Sequence, residues 1–120
     1  MIRLALCLLA APMAPACAQP QVVVPPQLAA AVDAARSDAA KRSGLPPGDL
    51  DLISAEQVTW ADGSAGCPRV GVLYTQAELP GWRVRLRVAA EVWDYHGGER
   101  GAPVLCPPGR SRPPLPSSRD

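Results

Sequence analysis

The chain of 120 residues carries 12 basic and 11 acidic side chains, with 15 prolines, three tryptophans and no phenylalanine. Its near-zero net charge argues against a nucleic-acid binder, because such proteins need a basic excess to displace counterions from phosphates. Its length predicts one small domain. The longest apolar run is about half of the roughly 20 residues that span a bilayer, so we expect no transmembrane segment.

Residues 1–18 have the pattern of a signal peptide. Arg3 is the positive charge, residues 4–11 form a short apolar stretch, and residues 16–18 offer an A-x-A cleavage site. We therefore expect export to the periplasm or the medium. The alternative is lipidation at Cys17, as in a bacterial lipoprotein, although a typical lipobox has leucine three positions before the cysteine and this chain has alanine there.

The two remaining cysteines predict a disulfide. Once residues 1–18 are removed, Cys67 and Cys106 form an even pair in an oxidising compartment. Their bond would close a loop of about 40 residues, which the chain-entropy model equates with roughly 4 kcal/mol. The rival interpretation is a zinc site made by Cys67, His96 and Cys106, which is weak because the chain lacks a close C-x-x-C pair.

The first predicted element of the domain is a helix. Residues 19–27, which contain three prolines, form an extended lead-in, and the helix follows within a single domain over residues 28–106. Gly44, followed by Leu45 and two prolines, is a typical helix end. The apolar positions recur at helical spacing, at Leu28, Val32, Ala35 and Ala39.

After the helix the apolar period changes to that of strands, and we predict an α+β fold with the amphipathic helix packed on a small antiparallel sheet. The clearest strand is 82–88, where apolar residues alternate with Arg83, Arg85 and Arg87. A turn precedes it at 80–81, and a hairpin turn without the usual glycine follows at 89–90. The other predicted strands are 50–60, as one strand or as two short ones with a break near 54–55, then 70–76, 92–96 and 104–105.

The tail over residues 107–120 is predicted to be disordered. It contains five prolines and three arginines but only one leucine, so it has little apolar surface to bury.

His96 is the only histidine and therefore the first candidate for a general base. Asp62, Ser64 and His96 could form a catalytic trio, but no spacing in the sequence requires them to meet. The simpler interpretation is that His96 ends a strand with its ring packed or hydrogen-bonded. The sequence indicates no metal and no cofactor.

Two sets of side chains are candidates for a binding surface. Trp93 and Tyr95 share one face of a strand, and they would form a contact patch if that face is exposed. Arg83, Arg85 and Arg87 lie about 6.6 Å apart along a strand face and could contact an anionic polymer or an acidic partner. The simpler interpretations are a core of aromatic rings and a solvated strand face.

The segment 60–106 resembles a family of small exported bacterial proteins of uncharacterised function. The pattern is W-x-D-x-S-x-G-C-P-x-x-G-x-x-Y-x-Q, then P-G-aromatic-R, then Y-H and a closing cysteine. The chain departs from it at Ala65 and Val70, where the family has leucine and proline. The resemblance implies export, a helix on an antiparallel sheet and a disulfide, and it implies no activity. The matching residues are Trp60, Asp62, Ser64, Gly66, Cys67, Pro68, Gly71, Tyr74, Gln76, Pro80, Gly81, Trp82, Arg83, Tyr95, His96 and Cys106.

The sequence thus favours a non-catalytic exported module that binds an envelope macromolecule of unidentified class. The alternatives are a small hydrolase-like enzyme that uses His96, and an inhibitory or structural partner of an envelope enzyme.

Overall fold

The computed structural model describes residues 11–13 and 21–117. Most of the predicted signal peptide, including Cys17, lies outside these residues. Within them, no helix is long and apolar enough to cross a membrane.

The predicted helix is confirmed. A 3₁₀ turn over Pro26–Leu28 leads into helix α1, Ala29–Ser43. The helix ends where expected, because Gly44 adopts a left-handed φ of 75° and donates its N–H to the carbonyl of Ala40 at 2.9 Å. A second 3₁₀ turn, Pro47–Asp49, then redirects the chain. The four predicted apolar positions of the helix are all buried: Leu28, Val32, Ala35 and Ala39.

Four antiparallel strands form one sheet, which confirms the α+β prediction. They are β1 (Asp51–Trp60), β2 (Leu79–Val88), β3 (Glu91–Gly98) and β4 (Val104–Cys106). Their spatial order is β1-β2-β3-β4, so every strand pairs with its neighbour in sequence. The first strand is continuous, without the break predicted near 54–55, and it carries a β-bulge between Leu52 and Ser54.

The predicted strand over 70–76 is wrong. This segment lies in the β1–β2 connection, and its side chains at Val70 and Leu73 are almost completely exposed. Gly71 has a φ of 81°, which interrupts an extended backbone, and Val72 donates its N–H to the carbonyl of Arg69 in a local turn. The alternating apolar residues therefore have no partner strand to pair with.

The predicted turn at 80–81 is also wrong, because both residues belong to β2. Pro80 is tolerated for a specific reason. Pro80 pairs with Thr59, whose carbonyl accepts the N–H of Leu115 and so points away from β2. On its other side Pro80 has no partner in β3, because the pairing of β2 with β3 ends at Gly98. An N–H at position 80 would have no strand partner, so proline loses no ladder bond there.

The two faces of the sheet differ in character. Helix α1 covers the inner face, where Val84, Leu86 and Tyr95 are fully buried. The Tyr95 hydroxyl donates a hydrogen bond to Asp38 of α1 at 2.8 Å. Burial and this bond to a carboxylate raise the pKa of Tyr95 above its ordinary range. The outer face carries the arginines of β2 together with Asp94 and His96 of β3.

Residues 107–117, predicted to be disordered, lie on the domain, with Ser111 on the outer face and residues 114–117 along the free edge of β1. Arg112 donates its N–H to the carbonyl of Gly66 at 2.8 Å, and Leu115 donates to the carbonyl of Thr59 at 2.9 Å. The segment has little apolar surface of its own, and these backbone hydrogen bonds hold it on the domain. The last three residues, 118–120, lie outside the described part of the chain.

Candidate functional site

A buried group of polar and aromatic side chains lies under the tail on the outer face of the sheet. We call it the covered cluster. It consists of Trp60, Arg83, Asp94, His96 and Ser111, which come from β1, β2, β3 and the tail.

His96 is fully buried at the centre of this cluster. Its Nδ1 lies 2.7 Å from the carbonyl oxygen of Ala65, and its Nε2 lies 3.0 Å from a carboxylate oxygen of Asp94. Both neighbours are hydrogen-bond acceptors, so a ring with protons on both nitrogens satisfies them both. The ring also stacks on Trp60, with centroids 4.5 Å apart and planes inclined by 24°.

Asp94 accepts hydrogen bonds from three sides. Arg83 binds it with two parallel N–H groups, each at 2.9 Å, and the Ser111 hydroxyl donates to it at 2.8 Å. Burial alone would raise the pKa of Asp94, but the hydrogen bonds from His96, Arg83 and Ser111 outweigh it and hold this pKa well below its usual range. The same contact with Asp94 raises the pKa of the Arg83 guanidinium. The cluster is therefore a buried ionic network whose members satisfy one another.

Trp60 fits beneath this network because Gly81, the residue of β2 that its indole crosses, has no side chain. Its Nε1 donates to the carbonyl of Gly97 at 3.0 Å, which lays the indole across β2 at Gly81. A Cβ atom at Gly81 would lie 2.8 Å from that nitrogen. The predicted Pro-Gly turn signal thus marks a close approach of a tryptophan to the backbone of a central strand.

The disulfide closes the covered cluster from the side. Cys67 and Cys106 are bonded, with their Cα atoms 5.8 Å apart, which confirms the predicted pair. The zinc interpretation is wrong, because both thiols are used in the bond and both nitrogens of His96 face protein acceptors.

The geometry does not support a hydrolase that uses His96. In a catalytic trio the acid and the nucleophile contact opposite nitrogens of the ring. Here Asp94 and Ser111 both lie on the Nε2 side, the second at 3.4 Å. Asp62 and Ser64 bond to each other instead, the hydroxyl at 2.5 Å and the amide of Ser64 at 2.8 Å, and these bonds lower the pKa of Asp62. They brace the loop after β1.

Other residues of the β1–β2 connection also have local structural contacts. Gly63 donates its N–H to the carbonyl of Thr75 at 2.8 Å, which ties together the two ends of the β1–β2 connection. The Tyr74 hydroxyl accepts the N–H of Arg69 at 3.1 Å. The Gln76 side chain donates to the carbonyl of Tyr74 at 3.2 Å. These contacts fix the path of the loop.

The inner face has a more accessible feature, which we call the Trp82 groove. It lies between the first turns of α1, the outer edge of β1 and the tail, and Trp82 is half-buried in it. The indole lies over Gly97, where a Cβ atom would approach its Nε1 to 2.6 Å. The volume of the groove is about 1480 Å³, larger than the roughly 300–1,000 Å³ of typical small-molecule sites.

The Trp82 groove is acidic. Of the described residues that line it, the ionisable ones are Glu56, Glu78 and Glu99, and none is basic. Glu78 precedes β2 and Glu99 follows β3, so both lie at the same end of the sheet. Glu56 faces Arg85 at 3.6 Å, which leaves Glu78 and Glu99 as the main source of negative potential.

A family model described as a domain of unknown function (DUF8738) matches residues 32–106. The chain belongs to the DUF8738 family. Comparisons with curated proteins and with solved structures find no match.

The DUF8738 region contains most of α1, the whole sheet and both cysteines of the disulfide. It ends at Cys106, so the tail that covers Trp60 and His96 lies outside it. Ser111 therefore completes the covered cluster from beyond the DUF8738 region.

The two predicted binding surfaces, the Trp93–Tyr95 patch and the arginine stripe, are less accessible than expected. Tyr95 is fully buried against α1, and Trp93 is half-buried beside the core, so they do not form an exposed patch. The three arginines do share the outer face, but Arg83 is paired with Asp94 and Arg85 bonds to Ser54 at 2.8 Å. Only Arg87 of the three lacks a side-chain partner among the described residues, so the stripe offers less free charge than its sequence suggests.

Three residues of these sites cannot be identified from the sequence alone. Ser111 lies in the segment predicted to be disordered, and its contact with Asp94 depends on the path of that tail. Glu78 and Glu99 are separated by the whole β2–β3 hairpin, and only the strand register brings them to one end of the sheet.

Proposed function

We propose that this DUF8738 protein is a non-catalytic exported module that binds another macromolecule, and that the Trp82 groove is its binding site. The observation that carries this proposal is a partly exposed tryptophan in an open groove whose only ionisable lining residues in the described chain are glutamates. Tryptophan is enriched at binding hot spots because it offers a large rigid contact area. The size and openness of the groove favour a polymer over a small metabolite.

The chemistry of the covered cluster supports the same conclusion. His96, the only histidine, is fully buried and its two nitrogens are both occupied. A general base must reach the substrate by hydrogen bond or through one water. The arrangement therefore favours a structural role for His96 over the hydrolase alternative.

The proposed location is the periplasm or the medium, with lipid anchoring at Cys17 as the alternative. The sequence pattern of residues 1–18 supports export, and the disulfide is compatible with an oxidising compartment. The intact mass of the protein from its native host tests this part, since a chain starting at Gln19 and an acylated chain starting at Cys17 differ in mass.

Photo-crosslinking in the native host tests the binding site. Ala29 and Ala30 are adjacent and both exposed on α1, but only Ala30 lines the Trp82 groove. We expect p-benzoylphenylalanine in place of Ala30 to give a discrete macromolecular adduct, and the same group in place of Ala29 to give none. The adduct should disappear in a Trp82→Ala background. Equal labelling from both positions, or none from position 30, would contradict the proposal.

A further inference from the structure

We propose that the free edge of β1 accepts an extended, positively charged peptide as an added strand, next to Trp82. This inference rests on the proposed binding function and specifies the class of partner and its mode of binding.

The outer edge of β1 has backbone groups that no strand satisfies. β1 lies at the end of the sheet and pairs only with β2. In an antiparallel ladder, alternate residues direct both N–H and C=O away from the partner strand. Thr59 is such a residue, because its carbonyl accepts the N–H of Leu115, and by the same alternation Gln57 also faces outward. In the described chain, the backbone N–H and C=O of Gln57 have no backbone partner at this edge.

The tail shows that the edge can take an extended chain. Leu115 lies between prolines within the run Pro113–Pro116, so it supplies the only N–H in that run. That N–H bonds to Thr59 at 2.9 Å. The prolines on either side have no further N–H to offer, so the tail engages one end of the edge and cannot extend the ladder toward Gln57. Proline at an edge also discourages uncontrolled strand pairing.

Charge decides which peptide fits. Glu78 and Glu99 are exposed in the groove at the end of the sheet where β1 finishes, and the described lining residues include no cation. Long lysine or arginine side chains of an added strand would extend across β1 toward these carboxylates, which line the same groove as the indole of Trp82. Strand addition takes its affinity from backbone hydrogen bonds and its specificity from such side-chain contacts.

The same charge argues against a second copy of this chain as the occupant. Edge-to-edge pairing of two β1 strands would bring two acidic grooves together, and like charges at an interface oppose association. A dimer through β1 is therefore an outcome that would overturn the proposal.

The first experiment uses a defined probe, a peptide of alternating arginine and valine about nine residues long, and its glutamate–valine counterpart. We expect the arginine peptide to bind and the glutamate peptide to bind at least about tenfold more weakly. The Glu78→Lys/Glu99→Lys variant should bind the arginine peptide more weakly than the wild type by a similar factor. Glu91→Lys is the matched control, because Glu91 is exposed at the opposite end of β3, and it should change binding by less than about threefold.

The second experiment tests the backbone pairing. Two analogues of the arginine peptide carry N-methyl groups, one on every valine and the other on every arginine. An added strand uses alternate N–H groups, so one analogue should lose about tenfold or more in affinity and the other much less. Peptide binding should also slow hydrogen exchange at the Gln57 amide by at least about tenfold, since that amide gains a partner.

The outcomes separate this inference from the proposed function. Equal binding by the two analogues, or an unprotected Gln57 amide, would overturn strand addition. The binding function would still be supported if the photo-crosslinker at position 30 gave its adduct. Failure of the arginine peptide to bind at millimolar concentration also overturns the inference. Protection of Gln57 that grows with protein concentration in the absence of peptide would show that a second copy occupies the edge. Loss of the position-30 adduct would overturn both proposals.

Discussion

Trp60 and Trp82 lie on opposite faces of the same sheet and have similar local geometry, but their environments differ. Each indole lies across a glycine of a neighbouring strand, Trp60 over Gly81 and Trp82 over Gly97. Trp60 is fully buried and its Nε1 is hydrogen-bonded, whereas Trp82 is only half-buried, in a groove. The same tryptophan-over-glycine arrangement thus serves as core on one face and as accessible surface on the other.

The difference follows from what covers each ring. On the outer face, the loop after β1 and the tail meet above Trp60, joined by the bond from Arg112 to Gly66. On the inner face, α1 covers Val84, Leu86 and Tyr95 but leaves Trp82 in an open groove near its first turns. The inner face is therefore accessible where α1 no longer covers it.

The largest expected effect comes from truncating Trp60, and truncation of Trp82 is the comparison. Trp60→Ala removes a fully buried ring and its hydrogen bond, and it should reduce the free energy of unfolding by about 4 kcal/mol. Trp82→Ala removes a half-buried ring and should cost about half as much, roughly 2 kcal/mol. Urea denaturation measures both.

Substitutions of the two tryptophans should also differ in their effect on binding. Trp82→Ala should abolish the crosslink from position 30, while Trp60→Phe, which keeps a ring against His96, should retain it. Equal losses of stability for the two alanine variants would show that the faces do not differ as described.

The next largest effect should come from the charges of the covered cluster. Asp94→Asn leaves Arg83 and the His96 ring without their carboxylate, and we expect a loss of about 3 kcal/mol at neutral pH. Glu56→Gln is the control. The Glu56–Arg85 pair is 3.6 Å apart and its side chains are 49% and 35% exposed, so its removal should cost less than about 1 kcal/mol.

The pH dependence of stability should report the same carboxylate. The folded pKa of Asp94 lies below its unfolded value of about 4, so Asp94 stabilises the fold fully above that pH and progressively less as the pH falls toward the folded pKa. Wild-type stability should therefore decline below about pH 4, and this decline should be shallower in Asp94→Asn. An unchanged slope in denaturation curves measured down to about pH 2 would contradict the network.

The elements that the sequence predicted correctly are those whose cause is local. Gly44 and the prolines after it end α1, and the alternation over 82–88 fixes the two faces of β2. The helix spacing, the half-buried strand and the cysteine pair needed no knowledge of distant neighbours. These signals were sufficient for the fold class and the disulfide.

The parts that could not be predicted depend on distant partners. Alternation places Trp93 and Tyr95 on one face, but α1 decides that this face is the inner one. Val70 to Gln76 has a strand pattern and no strand to pair with. The Trp82 groove requires the register of β2 with β3 and the path of the tail, and no local pattern encodes either.

A smaller loss of stability should show whether the tail packs over Trp60 or is free in solution. Ser111→Ala removes one hydrogen bond to Asp94 and should cost about 1 kcal/mol. It should also speed hydrogen exchange at the Arg112 amide, which bonds to Gly66 one residue later. Ser117→Ala, at an exposed position near the end of the described tail, is the control and should change neither quantity. If the Arg112 amide of the wild type exchanges as fast as an unfolded chain, the tail does not cover the cluster.

The smallest expected effect lies at the β2–β3 hairpin, far from both tryptophans, and it has the opposite sign. Ala89 has a φ of 52°, a left-handed conformation that costs a residue with a Cβ atom about 1–2 kcal/mol. Glycine adopts it freely but loses more backbone entropy on folding, so Ala89→Gly should raise stability by roughly 0.5–1 kcal/mol. Ala90 does not have a positive φ, so Ala90→Gly should lower stability by a similar amount. Because the hairpin contacts neither the covered cluster nor the Trp82 groove, Ala89→Gly should leave peptide binding and the acid dependence unchanged. The urea midpoint should rise while peptide binding and the acid dependence stay the same. This result would show that the sheet can gain stability without any change in the difference between its two faces.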